Sequence, residues 1–375
     1  MDIPYVPVHC NRLWSTREEA LSAPRGGMQL VFCKACTHVF NASFDPKLVE
    51  YSPGYENSLH FSPRFQKYAA DLAQRLIYDY DIFGKSIIEI GCGNGDFLSM
   101  LCNLGNNKGF GFDPSASSTS HDISESVSVN IFKDYYSDQY SDIHPSLVCC
   151  RHVLEHIESP IDFLKSITKT LGNKSSPIFY FEVPNFLFTL QDNGIWDLIF
   201  EHYSYYSLNS LHFLFYSLNF KILRCNSDFM NQFICLDAIH NKPFDSDVRS
   251  DQFDLSGFLS HINNFSKHFN SVINKWKSFF DHMISPCSKV VIWGAGSKGV
   301  TFLNVLNIFD QVQYVVDINP HKQGLYIPGT GQKVINPDQL VLEKPDIVII
   351  MNPVYQSEIK NMLHNNGLDP LIYIL

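Results

Sequence analysis

The sequence predicts an α/β protein carrying two separate sheets, each entered through a glycine turn. The run Ile87-Ile88-Glu89-Ile90 stops at Gly91, Gly93 and Gly95, and Phe97, Leu98 and Leu101 then recur at helical spacing. A second run, Val290 to Trp293, stops the same way at Gly294, Gly296 and Gly299. In both units the next apolar run ends in an acid, Asp113 and Asp317 respectively. Strand, glycine turn and helix start together let the backbone pass close under a ligand and present free N–H groups to it. The competing reading of the first turn is a strand–turn–helix whose glycines serve packing alone.

Composition limits the partners. At 375 residues the chain is too long for one average domain. A formal net charge of −10 argues against nucleic acid or an anionic membrane as the default partner, with local basic pockets for a phosphorylated substrate left open. The start, Met1-Asp2-Ile3-Pro4, lacks the pattern of a secretory leader, and no apolar run reaches membrane-span length. Most cysteines fall inside apolar patterns and read as reduced, buried thiols, so a cytoplasmic protein is expected.

The N-terminal segment holds one C-x-x-C knuckle, Cys33-Lys34-Ala35-Cys36, with His9, Cys10 and His38 nearby in sequence. A structural zinc needs four ligands. Cys10, Cys33 and Cys36 are the candidates, against a metal-free knuckle with packed thiols. A tyrosine-bearing loop, Tyr51 to Tyr55, follows and is either a lid or packing. Ser62-Pro63 then reads as an N-cap and first helical position for a helix burying Phe65, Ala69, Leu72 and Leu76.

In the central unit, a carboxylate at Asp113, before Pro114, can accept from ribose hydroxyls, and Asp134 can accept from an adenine amino group. Strands are expected around Asn130, Ser146 and Pro177, with a terminal pair at 220–225 and 232–240. The stretch Phe200-Glu201-His202-Tyr203-Ser204-Tyr205-Tyr206-Ser207 is neither helical nor apolar enough for a core strand. It falls where loops over the strand C-termini hold substrate and a general base. An aromatic packing loop is the alternative.

In the C-terminal unit, Phe258 to Phe280 recur as one long amphipathic helix ending near Ser285-Pro286, after a polar linker at 243–255. Gly294-Ala295-Gly296-Ser297-Lys298-Gly299 with Asp317 beyond fits NAD on paper. The unit looks like half a dinucleotide domain, so contact with a substrate diphosphate, or a scaffold role, competes with NAD.

The E-x-G-x-G-x-G form at Glu89 to Gly95 resembles motif I of class I S-adenosylmethionine (SAM) methyltransferases, and Arg151-His152-Val-Leu-Glu155-His156-Ile resembles the segment lying against their SAM site. The order of knuckle, E-H-Y-S-Y-Y-S and G-A-G-S-K-G resembles the sugar C-methyltransferases, as do V-V-D-I-N-P-H-K-Q-G at Val315–Gly324, I-P-G-T-G at Ile327–Gly331 and M-N-P-V-Y at Met351–Tyr355. His9-Cys10 departs from that family's paired cysteines. The resemblance implies a zinc-knuckle-like segment at 1–62, a Rossmann-like SAM domain at 63–240, a linker and helix at 241–285 and a half-Rossmann domain at 286–375. It implies SAM contacts at Glu89, Gly91, Cys92, Gly93, Gly95, Asp113, Pro114, Asp134, Arg151 and His152. It further implies His202 as base, with Glu201 orienting it or holding a sugar hydroxyl. Tyr55 would stabilise an enolate oxygen, with Tyr51 as substitute. The implied acceptor is a nucleotide-linked 4-keto deoxysugar. Another small metabolite methylated on oxygen or carbon, a nicotinamide-dependent sugar oxidoreductase and a non-catalytic SAM-fold module are the alternatives.

Overall fold

The computed structural model describes residues 1–49, 54–116, 119–122, 127–172, 176–240, 255–285 and 287–375. Tyr51, Pro286 and the expected linker over 243–254 lie outside them.

Three sheets form. The first joins β1 (Asp2–Pro7), β2 (Arg25–Phe32) and β3 (Val39–Asn41) as antiparallel neighbours. The second is built from β4 (Ser86–Ile90), β5 (Lys108–Phe112), β6 (Thr119–Asp122), β7 (Ser128–Phe132), β8 (Leu147–Arg151) and β9 (Ile178–Pro184). A short β10 (Ser204–Tyr205) leaves this run to become the fourth strand of the first sheet, pairing with β3. The long pair β11 (Phe220–Asp228) and β12 (Phe233–His240) then completes the second sheet.

Its order is β11-β12-β9-β8-β4-β5-β7-β6. All neighbours from β7 to β9 are parallel, and β12 is inserted antiparallel between β9 and β11. Strands buried on both faces must be continuously apolar, and β8, Leu147-Val148-Cys149-Cys150-Arg151, is buried at every position. The chain reverses direction across the sheet on either side of β4, which opens a crevice beyond its C-terminus.

The third sheet runs β15 (Lys333–Ile335), β14 (Tyr314–Val316), β13 (Val290–Trp293), β16 (Ile347–Ile350), β17 (Leu371–Ile374), and every neighbour is parallel. Five parallel strands are more than the half unit expected. The three-residue strands β14 and β15 are too short to stand out by periodicity.

One hydrophobic core binds the first sheet to the third. It runs from Val6, Val8 and Cys10 through Trp196 and Phe200 to Phe265, Phe269, Phe302 and Ile349. The helix Leu255–Ser278 contributes Phe265 and Phe269 and continues into a π-helical turn, Phe279–Met283. Polar ties reinforce the docking: Arg25 Nη2 donates to Asn304 Oδ1 at 2.7 Å and to the Gly329 carbonyl at 3.0 Å. Among the described residues, no helix is long and apolar enough to cross a membrane.

Candidate active site

The first glycine turn is shaped by backbone conformation. Gly91, Gly93 and Gly95 have φ of 73°, 52° and 80°, which favour glycine. A side chain at Gly91 would run into Val153, and a Cβ at Gly95 would lie 2.6 Å from Ile131 Cδ1. Nothing lies within 4 Å of where a Cβ would project from Gly93, so the turn is open on that side. Asp113 braces it. Its Oδ2 accepts from the Gly93 N–H at 3.0 Å, while Oδ1 accepts from the Ser115 N–H at 2.8 Å. Pro114 follows directly in the turn beyond β5.

Glu89 ends buried, 3% exposed, with Oε2 lacking a hydrogen-bond partner among the described residues. Burial pushes its carboxyl up to about 8, against the pull of Arg151. A buried carboxyl with an unmet oxygen, an open glycine turn and a braced carboxylate fit a ligand with hydroxyls and positive charge. Burial also raises the Cys92 thiol, which therefore stays neutral.

Two of the expected contacts are tied to the frame. The Arg151 guanidinium donates from Nε and Nη2 to Glu182 Oε1 at 3.1 and 2.9 Å, and packs over the Phe97 ring at 4.1 Å. His152 sits at φ 53°, with Nε2 2.9 Å from the same oxygen, an ion-pair distance without hydrogen-bond alignment. Glu182 also accepts from the Tyr68 and Tyr180 hydroxyls at 2.5 and 2.7 Å. Burial alone would raise the Glu182 carboxyl, but Arg151 and His152 hold it well below the usual carboxylate range. Burial alone would lower His152; Glu155 and Glu182 outweigh it and raise it to about 9. Asp134 lies beyond β7, accepting from Tyr140 at 2.9 Å and Gln139 at 2.5 Å.

The E-H-Y-S-Y-Y-S stretch divides its residues between two tasks. Glu201 is fully buried, and its carboxylate accepts from the Cys10 N–H at 2.9 Å and meets His9 Nδ1 at 3.3 Å. It therefore ties the N-terminal segment to the central sheet and does not orient His202, as had been expected. Ser204 and Tyr205 form β10, contrary to the expectation of a strandless loop, because the partner strand β3 lies far away in sequence.

His202 turns the other way. Its ring meets those of His156 at 4.9 Å and Tyr205 at 5.9 Å, and it lines a cleft with Asn185, Tyr205, Gln232, Phe233 and Lys298. Burial and the neighbouring His156 push His202 down to about 3, against Glu155, so the imidazole is neutral near pH 7. Tyr55 is not among the residues lining this cleft; its hydroxyl accepts from Asn11 at 3.4 Å.

The Cys33 and Cys36 thiols lie against one another, as a C-x-x-C turn expects, but Cys10 does not join them. Among the described residues, the one group with metal-ligand spacing is Glu155, His156 and His202, not Cys10, Cys33 and Cys36. Cys10 is fully buried in the core, where its thiol meets Thr301. The Glu201 grip on its backbone holds it there.

The second glycine turn lines a separate cleft, formed by Ser58, Phe61, Ser297, Lys298, Asp317 and Asn352 among others. Lys298 Nζ donates to Asp197 Oδ2 at 2.5 Å. Lys322, 6% exposed, donates to the Ala295 carbonyl at 3.3 Å. Ser297 and Lys298 line this cleft and the His202 cleft alike. Lys298 was visible only as a letter in G-A-G-S-K-G, and Asp197 carried no sequence signal because its partner lies 101 residues away.

The reversed strand beside β9 and the braced glycine turn give the central unit the fold of a class I SAM-dependent methyltransferase domain. Sequence matches agree with that class. A methyltransferase domain model matches residues 61–224, and a C-methyltransferase C-terminal domain model matches residues 253–367. The C-methyltransferase NovU of Streptomyces niveus is 24% identical over 235 residues, covering 59% of this chain and 55% of the relative. The chain thus matches about half the length of that curated relative. Magnesium protoporphyrin IX methyltransferase of Synechocystis PCC 6803, solved with bound SAM, is 15% identical, with 47% of this chain and 80% of that chain covered at a TM-score of 0.32. A SAM-dependent methyltransferase structure from Listeria monocytogenes is 16% identical, with 47% and 100% covered at 0.35.

Proposed function

We propose that the protein transfers the methyl group of SAM to a carbon next to a ketone in a nucleotide-linked deoxysugar. The observation that carries this reading is the pair of clefts sharing Ser297 and Lys298. An acceptor with a diphosphate at that junction would rest its phosphates at the start of the helix Ser297–Leu306, beside a lysine, as anions do. Its nucleoside would extend into the cleft of the second turn and its sugar would reach His202. The C-methyltransferase model over 253–367 supports carbon as the acceptor atom.

The chemistry follows from acidity. A ketone acidifies the neighbouring C–H, and neutral His202 offers a lone pair to take that proton. The C–H electron pair moves to the carbonyl oxygen as an enolate. SAM supplies an electrophilic methyl on a sulfonium, and the enolate carbon takes it as the C–S electron pair returns to sulfur.

The test is incubation of the full chain with SAM and a nucleoside-diphosphate-linked 4-keto-6-deoxyhexose in deuterated water, read by mass spectrometry and NMR. Methyl on carbon, together with enzyme-dependent deuterium entry at that carbon when SAM is withheld, is expected. Methyl on oxygen, or no exchange, would overturn the reading.

A further inference from the structure

The turn leaving β8 carries a carboxylate that the proposed proton abstraction leaves unused. Glu155 is 2% exposed, in the 3-10 turn Leu154–His156 at the C-terminal edge of the sheet. Three imidazoles surround it. His152 Nδ1 lies 3.6 Å from its Oε1, and donor atoms of Glu155, His156 and His202 all lie within 4.8 Å of one another. Oε2 has no hydrogen-bond partner among the described residues. His152, raised to about 9 by Glu155 and Glu182, already sets one positive charge beside Oε1, and the buried Oε2 is the oxygen left to face a second charge.

Two of the imidazoles have other commitments. His156 Nδ1 lies 3.0 Å from the Glu201 carbonyl, which can only accept, so that nitrogen carries the proton. His152 is shared between Glu182 and Glu155 Oε1. His202 is the imidazole that faces the cleft.

We infer that Glu155 is the positioning residue of this site, placed to balance the positive charge that His202 acquires on taking the acceptor's proton. The inference rests on the proposed role of His202. In that step the proton passes from carbon to the His202 lone pair, the electron pair goes to the acceptor oxygen, and the new imidazolium faces Glu155. His156 and His152 oppose that protonation, and Glu155 favours it. The other groups that feel the carboxylate, Cys150 on β8 and Tyr206 from the loop, are a thiol and a phenol raised by burial, both neutral.

Glu155→Gln keeps the shape and removes the charge. In the full chain, kcat and deuterium exchange into the 4-keto sugar should fall together by about 10- to 100-fold, with KM and SAM affinity nearly unchanged. Glu155→Asp should recover part of the loss. An unchanged kcat and pH–rate profile in Glu155→Gln would overturn the inference. So would loss of SAM binding and melting temperature in step with kcat, which marks a structural prop. A stoichiometric metal in the native protein that Glu155→Gln loses would reassign Glu155 as a ligand and also overturn it. Exchange surviving in His202→Asn would instead sink the base assignment, a failure read separately.

Discussion

The two glycine turns are built alike and surrounded differently. In the first, the Gly91 N–H donates to the Phe112 carbonyl at 2.8 Å, and in the second the Gly294 N–H donates to the Val316 carbonyl at 2.8 Å. The Gly93 N–H reaches Asp113 Oδ2 at 3.0 Å, and the Ala295 N–H reaches Asp317 Oδ2 at 2.8 Å. The remaining oxygens accept from Ser115 and Asn319 at 2.8 and 2.9 Å. What differs is charge. Asp96 and Asp113 both act on Glu89 at the first turn, and the guanidinium nearby, Arg151, is committed to Glu182. Lys298 and Lys322 stand at the second. The same bracing by an acid from the next strand thus suits a cationic sulfonium ligand at one turn and a phosphate at the other. The lesson is that the turn provides a nucleotide-sized seat and its neighbours select the ligand.

The largest effect should separate both turns from the chemistry between them. His202→Asn should lower turnover by about 10²- to 10⁴-fold, the contribution of a positioned base, while calorimetry finds SAM affinity intact. Near-normal turnover would show that the cleft between the turns does not hold the base.

Next comes a matched pair of deletions. Asp113→Ala should weaken SAM binding by about 10- to 100-fold, the scale of losing hydrogen bonds to a charged group. Asp317→Ala should leave SAM affinity unchanged and raise KM for the sugar nucleotide. If Asp317→Ala weakened SAM as strongly as Asp113→Ala, the division of ligands between the turns would collapse.

The central sheet was legible in the sequence because its strands are buried on both faces and read as unbroken apolar runs between glycine turns and acids. Ser62 was legible too, since a cap is local: its Oγ accepts from the Phe65 N–H at 3.3 Å. What was not legible depends on partners distant in sequence. Glu201 is spent on Cys10, 191 residues away, so a motif that looks catalytic throughout is half structural. The same contact removes Cys10 from any zinc site with Cys33 and Cys36. β10 exists only because β3 offers an edge. Glu155 was in view as part of V-L-E-H-I, beside His152 and His156, yet its place against His202 required folding two distant segments together.

Lys298 sharpens the contrast at the second turn. Lys298→Met keeps the apolar stem and removes the charge, so KM for the sugar nucleotide should rise about 10-fold or more with SAM affinity untouched. Asp197 holds the ammonium at 2.5 Å when no phosphate is there, so Asp197→Asn should leave the lysine freer and change KM in the opposite direction. If both variants raised KM equally, the ion pair would be a strut between sheets and the phosphate seat would lie elsewhere.

The smallest effect belongs to the first turn and to pH. Burial raises the Glu89 carboxyl to about 8, so near pH 7 the ligand-free protein holds it mostly protonated. A ligand bearing a sulfonium and an ammonium favours the ionised form, so binding must expel that proton. The sign is fixed: SAM affinity should rise with pH and level off above about 8. Between pH 7 and pH 9 the ionised fraction of such a group grows about tenfold, which bounds the gain in affinity. Glu89→Gln should remove the slope and hold affinity near its low-pH value. At the second turn Ile292 stands where Glu89 stands at the first, two residues before the leading glycine, so nucleotide affinity should not share the slope. A SAM affinity flat in pH, measured by calorimetry in two buffers of different protonation enthalpy with no proton released, would mean that Glu89 stays out of the ligand's field. The charge contrast between the turns would then rest on Asp96 and Asp113.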